Sequence, residues 1–451
     1  MAIPLLGRLS VAEYCILSVS FTLAWLEYII SYITHILPSP VINGFTFTVK
    51  KIYNMLNLTI SYNSDKRYQY LYEQEQNEID KATYLRMTRL IECKDISELA
   101  AVFGYDIQSH VVRTADDYLL TIHRVMKSPD ESPPRNGKVV YLHHGLLMSS
   151  EIWLTMLQKH ENLPFLLYDL GYDVWLGNNR GNKYCQKHTF LRKPEDFWDF
   201  SIDEFAMFDI PNIIEYILDY TLEPSLTYIG FSQGTAQAFA SVSINNELNS
   251  KIDKIIAISP ATTPHGLYSK FLDIVIKASP DIIYLLFSRK ILMPSIQFWQ
   301  KIMYPPLFNT SIDISNYMLF NWKAKNITRI QKLCSYSHLY STTSVKTVVH
   351  WFQIMKNKNF QMYIDNNYYP TTYPLKNITI PIYLIYGDSD SLVDISVMKR
   401  QLPSELGASV AVQGHEHLDN LWGVDVNPNV FSHVLRFMDS NIHQNGSVHK
   451  E

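Results

Sequence analysis

A serine stands between two glycines at residues 230–234, which read Gly-Phe-Ser-Gln-Gly. The preceding residues, 226–229, are β-branched and aromatic and favour a buried strand, whereas the small residues of 235–242 favour a helix. A G-x-S-x-G pentapeptide in this setting is typical of a nucleophile elbow, a strained turn that lifts the serine oxygen clear and fits only glycine beside it. We therefore predict that Ser232 is the nucleophile of a serine hydrolase; the alternative is a plain glycine-flanked turn.

An acidic partner for this serine is expected later in the chain, because hydrolases with such an elbow order their triad as serine, acid and histidine. Residues 380–386 alternate and branch like a buried strand and lead into a loop that holds three aspartates. Asp390 is preferred because it lies mid-loop, before a Leu-Val pair that can anchor the loop in the core. Asp388 is better placed to brace the turn, and Asp394 to cap the next helix.

Two histidines follow the acidic loop, His415 and His417. His417 is the better catalytic base, because the apolar residues Leu418 and 421–422 after it can fix its loop. A histidine pair could also suggest a metal, but no further ligand motif such as H-E-x-x-H accompanies it, so we predict neither a metal nor a cofactor. In a triad with this base, the neutral imidazole takes the serine proton and Asp390 holds its tautomer.

An oxyanion hole requires two backbone N–H donors close to the nucleophile. One is expected from Gln233, the residue after the serine, and the other from a loop that follows an early strand. Residues 138–142 favour such a strand, and 143–147 continue as His-His-Gly-Leu-Leu. We predict the Leu146 amide as the second donor and expect His144 to brace the loop rather than react.

A long segment separates two of the predicted core strands. The strand after the nucleophile helix covers 252–259, and the next begins near residue 380, whereas a crossover between parallel strands needs only about a dozen residues. The excess, 262–379, is rich in Phe, Met, Trp and Tyr. We predict that it forms a mainly helical cap, whose apolar side chains build its own core and in part a wide acyl or sterol pocket under a lid.

The N-terminus contains the most apolar stretch of the chain, since residues 14–37 include one formal charge, Glu27. One helix of this length would extend about 36 Å, enough to cross a bilayer. We predict a membrane anchor at 1–40, either as a transmembrane helix or as a hairpin of two half-length segments that would keep Glu27 near the polar surface. A cleaved signal peptide and an ordinary buried helix are the alternatives.

The overall composition sets wide bounds. With 451 residues, of which 47% are hydrophobic, the chain can bury a large core, and its net charge of −4 argues against nucleic acid as a partner. Its four scattered cysteines do not form a disulfide framework and favour a reducing compartment. We divide the chain into an anchor (1–40), a tether and lead-in (41–86), a hydrolase core in two parts (87–261 and 380–440), the cap (262–379) and a polar tail (441–451).

Several segments resemble the acid lipase family of α/β-hydrolases, which includes gastric and lysosomal acid lipases and fungal steryl ester hydrolases. The similar segments fall in the family's order between about residue 88 and residue 440, namely 114–124, 143–147, 171–184, 197–211, 230–234, 387–394 and 417–423. The membrane-anchored fungal branch is the best match. The resemblance implies an α/β-hydrolase fold, with Ser232 as nucleophile, Asp390 as acid, His417 as base, and Leu146 and Gln233 as oxyanion donors.

The cap departs from the family in one respect, because the secreted members rely on a cap disulfide and this cap has only Cys334. The function implied is hydrolysis of a water-insoluble neutral lipid ester through an acyl-enzyme, with steryl esters favoured over triacylglycerols. We expect this to take place at a membrane or lipid-droplet surface, in the endoplasmic reticulum, on droplets or both. The alternatives are an acyltransferase that uses the same acyl-enzyme and a membrane-tethered, non-catalytic lipid-binding protein.

Overall fold

The computed structural model describes residues 11–58, 81–127, 137–191, 193–269, 283–284, 287–302, 305–365, 369–404 and 407–439. The predicted polar tail (441–451) and residues 59–80 of the predicted tether and lead-in lie outside these residues.

A single mixed sheet forms the centre of the described structure, with strand order β1-β2-β4-β3-β6-β7-β8-β9 and β5 paired to β2. The first two strands and β5 pair antiparallel, and the strands from β4 to β9 along this path pair in parallel. The strands are β1 Asp106–Arg113, β2 Tyr118–Met126, β3 Val139–His143, β4 Asp173–Leu176, β5 Lys187–His188, β6 Leu226–Phe231, β7 Ile252–Ile258, β8 Ile382–Gly387 and β9 Ala408–Val412. This topology confirms the predicted α/β-hydrolase class.

Both faces of the sheet are covered, which explains why its central strands are apolar throughout. All residues of β3 and β6 are buried, and side chains that alternate along a strand enter opposite cores. In β6, Tyr228 packs in the core on one side and Ile229 in the core on the other. The two layers of helices therefore hold the carboxyl end of β6, where the elbow begins, between two packed cores.

Helices connect and cover the strands. They are α1 Val11–Ile36, α2 Ser39–Leu58, α3 Lys81–Glu92, α4 Ile96–Val102, α5 Leu163–Asp169, α6 Pro194–Phe197, α7 Ile202–Glu204, α8 Ile210–Thr221, α9 Gln233–Ile244, α10 Leu248–Lys251, α11 Ile296–Ile302, α12 Pro305–Phe320, α13 Arg329–Tyr336, α14 Val345–Asn357, α15 Ile395–Gln401, α16 Asp419–Trp422 and α17 Ser432–Asp439. Helices α11 to α14 lie between β7 and β8, within the segment 262–379, which we name the insertion.

The N-terminal segment differs from its prediction. Of the helices that the structure describes, none is both long and apolar enough to cross a membrane, so the predicted transmembrane helix is not found. The physical reason is visible in α1, where Tyr, Ser and Thr interrupt the apolar run about once per turn. The alternative of two half-length segments is also wrong, because α1 continues unbroken past Glu27 to residue 36.

Both N-terminal helices contact the insertion. The carboxylate of Glu27 in α1 accepts hydrogen bonds from the backbone N–H of Ser295, at 2.9 Å, and from its hydroxyl, at 2.6 Å. The ring of Phe45 in α2 stacks on Phe298 with the ring centroids 6.4 Å apart. Glu27, the residue that argued against a spanning helix, therefore has a protein partner.

Candidate active site

The elbow has the strained geometry that its sequence predicts. Ser232 follows β6 and precedes α9 with φ of 53° and ψ of −120°, in a region that L-residues rarely occupy. A Cβ at Gly230 would lie 2.9 Å from the backbone nitrogen of Thr235, and one at Gly234 would lie 2.6 Å from the carbonyl oxygen of His143. Both approaches are too close for any side chain, so each glycine is required by packing.

The imidazole of His417 lies within hydrogen-bond distance of both other predicted triad side chains. His417 Nε2 is 2.7 Å from Ser232 Oγ, and His417 Nδ1 is 2.6 Å from Asp390 Oδ2. The second carboxylate oxygen of Asp390 accepts the backbone N–H of Leu392 at 3.0 Å, which fixes the carboxylate plane. With Nδ1–H donating to Asp390, the imidazole presents an unprotonated Nε2 to the serine hydroxyl, as a general base requires.

The competing residues of the two loops have other partners. Asp388 accepts the backbone N–H of Gly414 at 2.7 Å and braces the turn, and Asp394 caps α15 through the N–H of Val397 at 3.0 Å. His415 lies 2.9 Å from both Asn420 and Asp425. Its ring is therefore engaged in a network that supports the loop, whereas only its neighbour His417 reaches the serine.

The predicted oxyanion loop lies directly against the elbow. A Cβ at Gly145 would be only 3.1 Å from Cβ of Ser232, so the chain passes the nucleophile at van der Waals contact. Leu146 follows that glycine, and Gln233 begins α9, where the first amide of a helix has no partner within the helix. Within the part of the chain that the structure describes, neither amide donates to a protein acceptor, so both are available to a developing oxyanion.

Two buried histidines support this loop without reacting. His143 is held between the hydroxyl of Tyr141, at 2.6 Å from Nδ1, and the side chain of Asn179, at 2.7 Å from Nε2. Burial lowers the pKa of His143 to about 4 and that of His144 well below its ordinary value. Both rings are therefore neutral and, as predicted for His144, they brace the loop.

Arg180 pairs with two acids, Asp209 and Asp116. The side chain is 1% exposed and donates to Asp209 at 2.7 Å and to Asp116 at 2.6 Å and 2.9 Å. Its guanidinium also lies over the ring of Tyr118, 4.0 Å from the centroid. The cluster joins the loop after β4 to the start of α8 and stabilises the wall beside the site.

Sequence reasoning missed two tryptophans that the insertion contributes to the site. The indole N–H of Trp351, in α14, donates to the side-chain oxygen of Gln233 at 2.7 Å. Trp322 lies parallel to the ring of His417, with an angle of 7° between the planes and 5.0 Å between the centroids. The sequence predicts that aromatic residues of the insertion form its core and in part a pocket, but no local signal distinguishes these two from their neighbours.

Among the described residues, no group of three or more His, Cys, Asp or Glu side chains could hold a metal ion.

The comparisons with known proteins agree with this geometry. A family model for the alpha/beta hydrolase fold matches residues 138–424, and a model for a partial alpha/beta-hydrolase lipase region matches residues 96–157. The fold and the elbow thus define an α/β-hydrolase. A "putative lipase" from Sulfolobus solfataricus shares the fold, with a TM-score of 0.51 and 14% identity over 74% of this chain and 93% of its own.

Relatives of known name narrow the class. The chain is 46% identical over 355 residues to a "Probable lipase" of Schizosaccharomyces pombe, which covers 76% of this chain and 80% of the relative. It is 30% identical to the lysosomal acid lipase/cholesteryl ester hydrolase of Macaca fascicularis over 76% of this chain and 90% of the relative. The chain belongs to the acid lipase family of α/β-hydrolases.

Proposed function

We propose that this lipase-family hydrolase cleaves water-insoluble neutral lipid esters, steryl esters first and triacylglycerols second, through an acyl-enzyme on Ser232. The observation that carries the proposal is the continuous hydrogen-bonded chain from Ser232 through His417 to Asp390. The acyl-enzyme follows from the nucleophile, because a serine hydroxyl activated by a neutral imidazole forms an ester with the substrate's acyl group. The choice of an ester substrate is supported by the relatives that are named as lipases.

The reaction divides between the side chains as follows. His417 Nε2 takes the hydroxyl proton while Ser232 Oγ attacks the ester carbonyl carbon, and the amides of Leu146 and Gln233 receive the developing oxyanion. The imidazolium returns the proton to the leaving alkoxide, so the sterol or glyceride departs as a free alcohol. Water, deprotonated by His417, then attacks the acyl-enzyme, and the fatty acid leaves as Ser232 recovers its proton.

Support for a lipid substrate comes from outside the triad. Two tryptophans of the insertion, Trp322 and Trp351, lie against the catalytic loops and bring aromatic surface to the site. The Macaca fascicularis relative is named as a cholesteryl ester hydrolase, and that name motivates the choice of steryl esters.

The substrate proposal is tested with purified protein, offered cholesteryl oleate, triolein and retinyl palmitate as emulsions, with release of fatty acid measured. We expect the steryl ester to be cleaved fastest and Ser232→Ala to lose at least about 10⁴-fold in kcat on every ester, since no other nucleophile is in place. Normal turnover by Ser232→Ala would refute the mechanism. Sterol esterification in place of fatty-acid release would instead identify an acyltransferase.

We also propose that α1 and α2 lie on a membrane or droplet surface, in the endoplasmic reticulum, on lipid droplets or both. Support comes from their exposed apolar side chains, among them Ile36, Phe47 and Met55, which are 60%, 69% and 60% exposed. A helix that lies in the interface binds through such a face without crossing the bilayer.

Flotation with phosphatidylcholine vesicles and with cholesteryl oleate emulsions tests surface binding. Changing Ile36, Phe47 and Met55 together to serine should release most of the protein from both. Val111→Ser is the matched control. The side chain of Val111 is equally exposed, at 60%, but it belongs to strand β1 of the hydrolase domain and not to α1 or α2. Equal flotation of the triple variant and the wild type would contradict the proposal.

A further inference from the structure

A short stretch of the insertion contacts the catalytic histidine. We name residues 320–326, which follow from the end of α12, the strap. The strap presents Trp322 to His417 with the two rings nearly parallel, 5.0 Å apart at their centroids, and the indole is 7% exposed. The contact joins the insertion to the catalytic machinery of the core, and the mechanism above does not use it.

Several contacts hold the strap in this position. Phe320 stacks on Trp322 with 4.4 Å between centroids, and its carbonyl accepts the hydroxyl of Ser391 from the acid loop. The carboxylate of Glu416, next to the catalytic histidine, accepts the backbone N–H of Lys323 at 2.8 Å and that of Ala324 at 2.7 Å. The indole is thus fixed from two sides by the loops that contain the acid and the base.

The backbone of the strap is strained. Asn321 has φ of 58° and Ala324 has φ of 46°, so residues on both sides of Trp322 occupy the left-handed region without being glycine. Such conformations cost energy and persist only where the surroundings determine them. In this conformation the strap holds the indole face against the imidazole.

The indole also gives up a hydrogen bond at this site. Within the described residues its buried N–H has no acceptor, although buried tryptophans usually find one. A phenylalanine would keep an aromatic ring at this position without burying a donor. What the indole adds is its electron-rich face, which attracts a cation more strongly than the face of any other aromatic side chain does.

From this arrangement we infer that Trp322 is a positioning residue that stabilises the imidazolium form of His417. The imidazole is neutral in the free enzyme and positively charged once it has taken the serine proton. A cation within about 6 Å of the ring centroid and over its face is attracted, whereas a neutral ring at the same place gains only stacking energy. The contact is therefore stronger in the transition state than in the ground state, the condition for raising kcat.

The inference rests on the proposed function, because it assumes that His417 accepts the proton of Ser232. The test follows covalent labelling of Ser232 by a fluorophosphonate, a neutral probe that needs this proton transfer but no lipid specificity. If the wild type is not labelled at Ser232, the proposed function fails. If it is labelled, the variants below decide the inference separately.

Trp322→Leu should lower the maximal labelling rate, and kcat on p-nitrophenyl butyrate, by about ten- to thirty-fold. The half-saturating concentrations should change by less than about twofold, because the neutral ground state loses little. Trp322→Phe should recover most of the rate. Trp299→Leu, a tryptophan of the same insertion in α11, is the control and should label as the wild type does.

The last step separates action through His417 from a merely structural role. In a His417→Ala background, Trp322→Leu should leave the residual rate unchanged, because the cation it acts on is gone. A wild-type rate for Trp322→Leu, a change confined to KM, or an equal loss in the His417→Ala background would overturn the inference. Thermal unfolding of each variant identifies a loss that comes from misfolding, and failure of Trp322→Phe to recover the rate in a folded protein would also overturn it.

Discussion

Two glutamates hold the insertion, one beside the catalytic histidine and one in the N-terminal helix α1. Glu416 belongs to the core loop of the catalytic histidine and accepts backbone N–H groups of the strap. Glu27 belongs to α1 and accepts the N–H and hydroxyl of Ser295, far from the triad in the chain. A glutamate carboxylate thus fixes the insertion at two places. At Glu416 a small displacement of the insertion moves a ring that contacts the catalytic histidine, whereas at Glu27 it moves only the N-terminal helix.

The largest effect is expected on the core side, at the acid of the triad. Asp390→Asn should lower kcat by about 10⁴-fold, because an amide cannot hold the imidazole tautomer that the serine needs. Asp388→Asn is the matched control from the same loop and should change kcat by less than about threefold, since its carboxylate only braces Gly414. Steady-state kinetics on p-nitrophenyl butyrate measures both. Equal losses would show that the loop, not the triad contact, governs the rate.

A third carboxylate, Glu151, belongs to neither of these two contacts, and its pKa shows how burial and charged partners act on a buried acid. Burial alone would raise its pKa, but the hydrogen bond from His338 of the insertion and the charge of Lys183 outweigh this and hold the pKa at about 2. Because the folded state favours the ionised form, the stabilisation is complete above pH 4.5 and is lost as the pH falls towards 2. It amounts to about 3 kcal/mol at neutral pH.

Urea unfolding of the wild type and of Glu151→Gln at a series of pH values measures this contribution. The difference in the free energy of unfolding should be largest near pH 7 and should shrink steadily below pH 4.5. A difference that does not depend on pH would assign the effect to packing instead of charge.

At the strap, Glu416→Ala should lower kcat by about tenfold, because Trp322 loses the contacts that hold it over His417. The reduction should be absent in a Trp322→Leu background, since both changes remove the same contact. Additive losses would show that Glu416 acts on the histidine loop independently of the indole.

The smallest effect is expected at Glu27, in the N-terminal helix α1. Glu27→Ala should lower the free energy of unfolding by about 1 kcal/mol, as for loss of a helix cap, and should leave kcat within about twofold. Glu247→Ala, whose side chain is 79% exposed, is the control and should change neither quantity. A tenfold fall in kcat for Glu27→Ala would remove the distinction between the two contacts, because it would couple α1 to the triad.

The parts of the site that the sequence predicted best are those defined by short motifs or by a fixed order along the chain. The elbow, the order of serine, acid and histidine, and the loop at Leu146 each depend on residues close together in the chain or on a fixed order. Asp390 and His417 could be selected from their neighbours because the loops around them have readable turn and cap positions. Ser232 and His417 are 185 residues apart, yet each could be predicted from the residues of its own loop.

What sequence could not predict are contacts between distant segments without a motif. Glu27 and Ser295 are 268 residues apart and Trp351 and Gln233 are 118 apart, and neither pair has a spacing rule. The apolar run around Glu27 predicted a spanning helix because hydropathy measures only the solvent preference of a segment. It contains no information on whether that segment contacts lipid or another part of the protein. The tryptophans of the insertion could not be told from its core for the same reason.

The two indoles that contact the catalytic loops come from the insertion, whereas the proposed triad and both proposed oxyanion amides lie outside it. In the roles proposed above, the core supplies the reacting groups and the insertion supplies the ring that stabilises the imidazolium, and these are separable parts of the chain. A chimera that carries this core with the insertion of a relative should keep the ester chemistry and take on the donor's rate and substrate range. Diversification of such enzymes can proceed by replacing one contiguous segment while the reacting atoms stay untouched.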